Sequence, residues 1–115
     1  MDTYKIDSNK IIFSNGFDIE FEFPVLKTLL IDSIIVILLE IPTKVIYNHN
    51  VFALTTTGDY LWRISDVKLF NNADNCPFID IEVNSRNQLV LFNWCDTAII
   101  MDYKTGAVLD RYNSK

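Results

Sequence analysis

The feature that most constrains the fold of this chain is a two-residue alternation of apolar and polar side chains. The segment FDIEFEF at positions 17–23 places its aromatic and aliphatic side chains on one face and its carboxylates on the other. The segment FIDIEV at 78–83 repeats this pattern. Successive side chains of a β-strand point to opposite faces, whereas a helix repeats every 3.6 residues. No long segment keeps the helical period, so we predict an all-β fold with little or no helix.

Turn signals divide the chain into about nine or ten short strands. Asn15-Gly16 predicts a two-residue type I′ turn, because both residues tolerate positive φ. The segment IIVILLEI at 34–41 is apolar on both faces and predicts a central strand covered on both sides. The longest break, at 65–77, has room for one helical turn beginning at Ser65. Short connections favour an antiparallel meander, closed as a sandwich or as a partial barrel, in a single domain over residues 1–115.

Composition narrows the classes of partner. The formal net charge is −5 and the pI about 4.6, so a basic groove for nucleic acid is not expected. The most apolar stretch, at 29–42, is interrupted by Asp32 and Glu40, and it is shorter than the roughly 20 residues that span a bilayer. The amino terminus does not resemble a signal peptide. Two cysteines make no disulfide framework. We therefore expect a reduced, cytoplasmic protein without a membrane contact.

The residues suited to catalysis are few. His49 is the only histidine, which excludes a site of several histidines. Cys76 and Cys95 lack CxxC spacing, and we expect both to be buried as small hydrophobic residues. Gly-rich phosphate loops and nucleophile motifs are missing. We expect no cofactor, no metal and no enzymatic activity, and a small enzyme that uses Asp or Glu is the least favoured alternative.

The acidic ladders on two strands are the most informative surface feature. A ladder of this kind can simply be a solvated face that prevents aggregation. If the Asn15-Gly16 turn has two residues, however, Phe13 lies opposite Asp18 and Ile11 opposite Glu20, and large apolar side chains join the carboxylates as in a binding surface. A longer loop would remove this mixture. The predicted partner-binding residues are Asp18, Glu20, Glu22, Asp66, Asp74, Asp80 and Glu82. We expect Trp62 and Trp94 to lie in the core.

Two segments look like copies of one unit. VFALTTTGDYLWRI at 51–64 and AIIMDYKTGAVLDRY at 98–112 align on a Thr-Gly turn. They resemble the Ala-Leu-Asp-x-x-Thr-Gly-x-x-x-Trp hairpin of quinoprotein-type propeller repeats. Trp62 stands at the tryptophan position in the first segment, and Asp110 stands at that position in the second. Propellers need at least four blades of about 40 residues each. This chain is too short for such a ring, so the resemblance implies only a local hairpin geometry.

A string of short pieces, among them IEFEFPV, IIVILLEIP, YNHNVFAL and DYKTGAVLD, is similar to small all-β immunity proteins of contact-dependent growth-inhibition systems. The resemblance implies a cytoplasmic, monomeric antidote that binds one cognate toxin domain, often a nuclease, and covers its active site. It transfers no functional residue. An acidic inhibitor suits this role, because opposite charge steers it to a basic cleft. The alternative is a non-catalytic structural or protein-interaction β-module unrelated to toxins.

Overall fold

The computed structural model describes residues 4–65, 67, 69 and 75–114, and it is all-β there, as predicted. It contains eleven strands, one of which, β1, the sequence analysis did not anticipate. The strands are β1 (Tyr4–Asp7), β2 (Lys10–Phe13), β3 (Asp18–Glu20), β4 (Val25–Ile31), β5 (Ile34–Leu39), β6 (Val51–Thr55), β7 (Tyr60–Arg63), β8 (Phe78–Val83), β9 (Leu89–Asn93), β10 (Thr97–Met101) and β11 (Val108–Asn113). The described residues include no helix, and the one predicted at Ser65 falls partly outside them.

The strands form three open antiparallel sheets, so the prediction of a meander is confirmed and the sheets do not close into a barrel. We call them the N-terminal sheet (β1–β3), the middle sheet (β4–β7) and the C-terminal sheet (β8–β11). Within each sheet every strand pairs with its neighbour in the sequence. Such pairing needs only the short turns that the sequence provides.

The middle sheet lies between the other two. All six side chains of β5 are buried, which confirms the prediction of a central strand covered on both sides. Because neighbouring side chains point to opposite faces, they enter two separate cores. Val36 and Leu38 pack towards the C-terminal sheet, and Ile35 and Ile37 pack towards the N-terminal sheet. β5, whose side chains are all apolar, therefore contributes to both cores of the three-layered stack.

The turn between β2 and β3 differs from the prediction. The amide of Phe13 donates to the Phe17 carbonyl at 2.8 Å, and the amide of Gly16 donates to the Phe13 carbonyl at 3.0 Å. These bonds enclose a three-residue loop in which only Gly16 takes positive φ, at 89°. The two-residue turn with positive φ at both positions occurs instead at Asp32-Ser33, between β4 and β5.

The longer loop shifts the β2–β3 register by one residue. Ile11 pairs with Ile19, and both face the core, whereas Ile12 pairs with Asp18 on the outer face. The expected apolar neighbours of the carboxylates, Phe13 and Ile11, are thus buried. Burying the aromatic ring outweighs the preference of Asn-Gly for a tighter turn. The predicted placement of Phe13 and Ile11 beside the carboxylates was therefore wrong, and Ile12 is the apolar residue beside Asp18 instead.

Buried polar contacts join the middle sheet to the C-terminal sheet. The Asn50 side chain is fully buried and donates to the carbonyls of Leu39 and Phe78 at 2.9 and 2.8 Å, while accepting from the Phe78 amide at 2.9 Å. Trp62 is in the core, as expected, and its indole Nε1 donates to the Tyr103 carbonyl at 2.7 Å. Its ring covers Gly106, so the two similar hairpins contact each other directly.

The two cysteines are buried, as expected, but they are paired rather than reduced. Cys76 and Cys95 form a disulfide with their Cα atoms 5.5 Å apart. The β8–β9 hairpin explains the pairing, because Phe78 lies opposite Asn93 and the cysteines stand two residues beyond each of them. The disulfide ties the entry of β8 to the turn that follows β9.

Candidate binding surface

The outward face of the C-terminal sheet consists of two rows of side chains. One row runs across the four strands as Asp80, Phe92, Ala98 and Tyr112, and the other as Glu82, Val90, Ile100 and Asp110. The row between them, which includes Ile81, Leu91 and Ile99, faces the other way and belongs to the core with the middle sheet. The outward rows therefore point away from the stack. Their apolar centre lies between acidic residues on the two edge strands, and within it Phe92 and Ile100 are partly exposed whereas Val90 and Ala98 are buried.

Aromatic side chains extend this surface at one end. Trp94, in the turn after β9, is 66% exposed, and Tyr112 on β11 is 43% exposed. The expectation that Trp94 lies in the core was therefore wrong. Alternation along β9 correctly puts Trp94 on the same face as Val90 and Phe92. In the structure, however, that face points outward and not into the core. Since β9 is apolar on both faces, period two could not decide which face is inside.

Asp80 is held at the edge between the C-terminal and middle sheets. Its Oδ1 accepts from Lys27 Nζ of β4 at 2.9 Å and from the Ile81 amide at 2.8 Å. Burial works to raise the pKa of Asp80, but the bonds to Lys27 and Ile81 outweigh it, so the pKa lies below its ordinary value. A bulge beside Asp80 leaves Ile79 exposed, although the sequence pattern placed it on the core face.

The other predicted carboxylates belong to the opposite end of the stack. Asp18 and Glu20 lie on the outward face of the N-terminal sheet, and Glu22 is exposed just after β3. Lys10 stands directly between Asp7 and Glu20 in one outward row, and Lys5 shares this face. The charge of this face is therefore mixed, and it is not the acidic ladder that β3 alone predicts.

The predicted partner-binding residues thus do not form one surface. The middle sheet separates the group on β3 from Asp80 and Glu82 on β8. Asp66 and Asp74 lie outside the described residues, and their part in binding stays a prediction. The outward face of the C-terminal sheet combines carboxylates with exposed aromatic groups, and its two described rows contain no lysine or arginine.

Several members of this surface were not predicted from the sequence. Asp110, Tyr112 and Ile100 were not proposed as binding residues, and Trp94 was assigned to the core. Glu82, Ile100 and Asp110 lie in one row, because Glu82 pairs with Val90, Val90 with Ile100, and Ile100 with Asp110. The sequence of β11 does not alternate, and the assignment depends on which sheet covers which face.

Other chemical groups offer little beyond this surface. His49 lies in the connection between β5 and β6, and its carbonyl accepts from Arg63 Nε at 2.7 Å. Within residues 4–65, 67, 69 and 75–114, no group of three or more His, Cys, Asp or Glu side chains is arranged to hold a metal ion. A search of the same part of the chain gave no helix of the length and apolarity that crossing a membrane demands.

Comparison with known proteins gives a family without an assigned activity. No curated protein and no solved structure matches the chain significantly. A family profile described as "Domain of unknown function (DUF7957)" matches residues 1–112, which is nearly the whole sequence. The chain therefore belongs to the DUF7957 family.

Proposed function

We propose that this protein is an immunity protein that binds a cognate bacterial toxin domain, of the nuclease class, and neutralises it by covering its basic active site. The observation that supports the proposal most directly is the outward face of the C-terminal sheet, which carries Glu82 and Asp110 and has exposed Trp94 and Tyr112 at one end. Protein interfaces are typically enriched in aromatic anchors and carry charged groups at their rims.

Charge supports the same proposal. A nuclease must hold a polyanion, so its active cleft presents Lys and Arg to phosphate groups. A chain of net charge −5 is attracted to such a cleft, and electrostatic steering speeds the encounter. Occupation of the cleft by carboxylates then excludes the nucleic acid. This mechanism needs no catalytic group on the inhibitor.

The proposed place of action is the cytoplasm, where a nuclease meets its substrate. That compartment keeps most thiols reduced. The proposal therefore requires that the fold and the inhibition survive without the Cys76–Cys95 disulfide. A variant with both cysteines changed to serine should still protect cells when it is produced in the cytoplasm.

Co-expression with the product of the neighbouring gene, which the proposal predicts to be a toxin domain, tests the proposal. Cells that produce the toxin alone should stop growing, and cells that also produce this protein should grow normally. An unrelated acidic protein of similar size serves as the control for non-specific charge effects. Growth arrest that persists at equal expression of both proteins would refute the immunity role and favour the alternative of an interaction module unrelated to toxins.

A further inference from the structure

We propose that the outward face of the C-terminal sheet is the docking surface of this protein, and that its partner is a basic protein with an apolar pocket for Trp94. The inference rests on the proposed function and names the contact surface that it would use. It assigns the contact to the carboxylates of the C-terminal sheet and not to those of β3, which the sequence alone does not distinguish.

The first argument is the chemistry of the face. Phe92 and Ile100 lie on its inner strands, and Trp94 follows Phe92 at the end of β9 with two thirds of its surface exposed. A tryptophan contributes most to binding when it enters a desolvated pocket, and it is among the commonest hot-spot residues. Glu82 and Asp110 flank this centre on opposite edge strands. The arrangement has an apolar centre and a charged rim, as specific interfaces do.

The second argument is that the rim selects the partner. Both edge strands carry a carboxylate, and neither outward row contains a lysine or arginine. If two copies packed through this face with their strands aligned, an acidic edge would oppose an acidic edge in either direction, and like charges across an interface are unfavourable. A basic protein removes this repulsion. The occupant is therefore a different protein, with Lys or Arg placed around an apolar centre.

The outward face of the N-terminal sheet provides the contrast. Its rows include Lys5 and Lys10 together with Asp18 and Glu20, so it has no single sign of charge. It lies on the far side of the middle sheet. Equal changes of charge can therefore be made at both ends of the stack, and only one end should matter for contact.

The experiment measures binding of the toxin domain encoded beside this gene, in a catalytically inactive form, by purified variants of the full chain. Trp94→Ala should raise Kd about thirtyfold or more, as expected for an interface tryptophan. Tyr112→Ala tests the same surface through a second exposed residue. The double variant Glu82→Lys with Asp110→Lys should weaken binding at least about tenfold and reduce its dependence on salt.

The matched control is the double variant Asp18→Lys with Glu20→Lys, which changes the net charge by the same amount. At physiological ionic strength the Debye length is about 8 Å, so charges at the far end of the stack are largely screened. The control should change Kd less than about threefold. Emission of the buried Trp62 reports whether each variant is folded.

Each remaining outcome overturns the inference in a distinguishable way. Loss of binding in the Asp18 and Glu20 variant, with binding retained in the Trp94 and Glu82 variants, moves the contact to the N-terminal sheet and leaves the proposed function intact. A wild-type dimer that Trp94→Ala dissociates shows that a second copy covers the face. Failure of the wild type to bind the toxin removes the proposed function together with this inference.

Discussion

Asn50 provides a quantitative test of how the middle and C-terminal sheets are joined. Its fully buried side chain makes three hydrogen bonds, of 2.8 to 2.9 Å, to the backbone of Leu39 and Phe78. A hydrogen bond contributes about 1 kcal/mol net, and a buried group left without its partner costs about 1–3 kcal/mol. Asn50→Ala breaks all three bonds and leaves backbone groups unsatisfied. We expect the free energy of unfolding to fall by about 3–4 kcal/mol.

Urea denaturation followed by tryptophan emission measures this loss, with the slope of the transition compared between variants. The control is Asn15→Ala, which removes a single exposed bond to the Phe17 amide and should cost at most about 1 kcal/mol. A loss below 1 kcal/mol for Asn50→Ala, with an unchanged slope, would contradict the reasoning. It would mean that water or a small shift of β8 replaces the missing amide without penalty.

Three further predictions concern the same framework. Gly106→Ala should lower the free energy of unfolding by about 2–4 kcal/mol in thermal or urea denaturation, because the added Cβ would lie 2.7 Å from the Trp62 ring and the backbone φ is 79°. Gly16→Ala is the control: its Cβ would meet no atom, so only the positive φ is unfavourable and the loss should be about 1–2 kcal/mol. Replacing both cysteines by serine should lower the free energy of unfolding by about 3 kcal/mol, since the disulfide joins residues 19 apart, and a reductant should then have no further effect on the variant. Folding lowers the pKa of Asp80, so the ionised carboxylate stabilises the folded protein above about pH 4, and this contribution is lost as the pH falls through the folded-state pKa. The contribution is less than about 1 kcal/mol, because the Lys27–Asp80 pair is exposed. Lys27→Ala should therefore flatten the dependence of the unfolding free energy on pH in this range.

The sequence predicted the strands well where local pattern decides the outcome. The bounds of β8 agree with the segment FIDIEV at 78–83 that alternation marks, and β5 has the two-sided burial that its composition requires. β1 was missed although Tyr4 and Ile6 alternate with Lys5 and Asp7. A strand this short at the end of a chain carries too few residues for a convincing period.

The candidate surface was predicted only in part, because it depends on how sheets pack. Glu82 was identified from its own strand, but the mixed character of the β3 face depends on Lys10, which pairs with Glu20 only in the register that the three-residue loop imposes. The position of Trp94 depends on which face of β9 meets the middle sheet. The disulfide follows from the β8–β9 register rather than from the spacing of its cysteines.

The double burial of β5 also determines how this protein can open. Separating either outer sheet would expose three large aliphatic side chains of one strand, at about 1.5–3 kcal/mol each. Fluctuations that release a single layer are therefore rare, and the amide protons of β5 exchange with solvent only when the whole molecule unfolds. Hydrogen exchange should consequently be slowest in this strand and should report the global free energy of unfolding there.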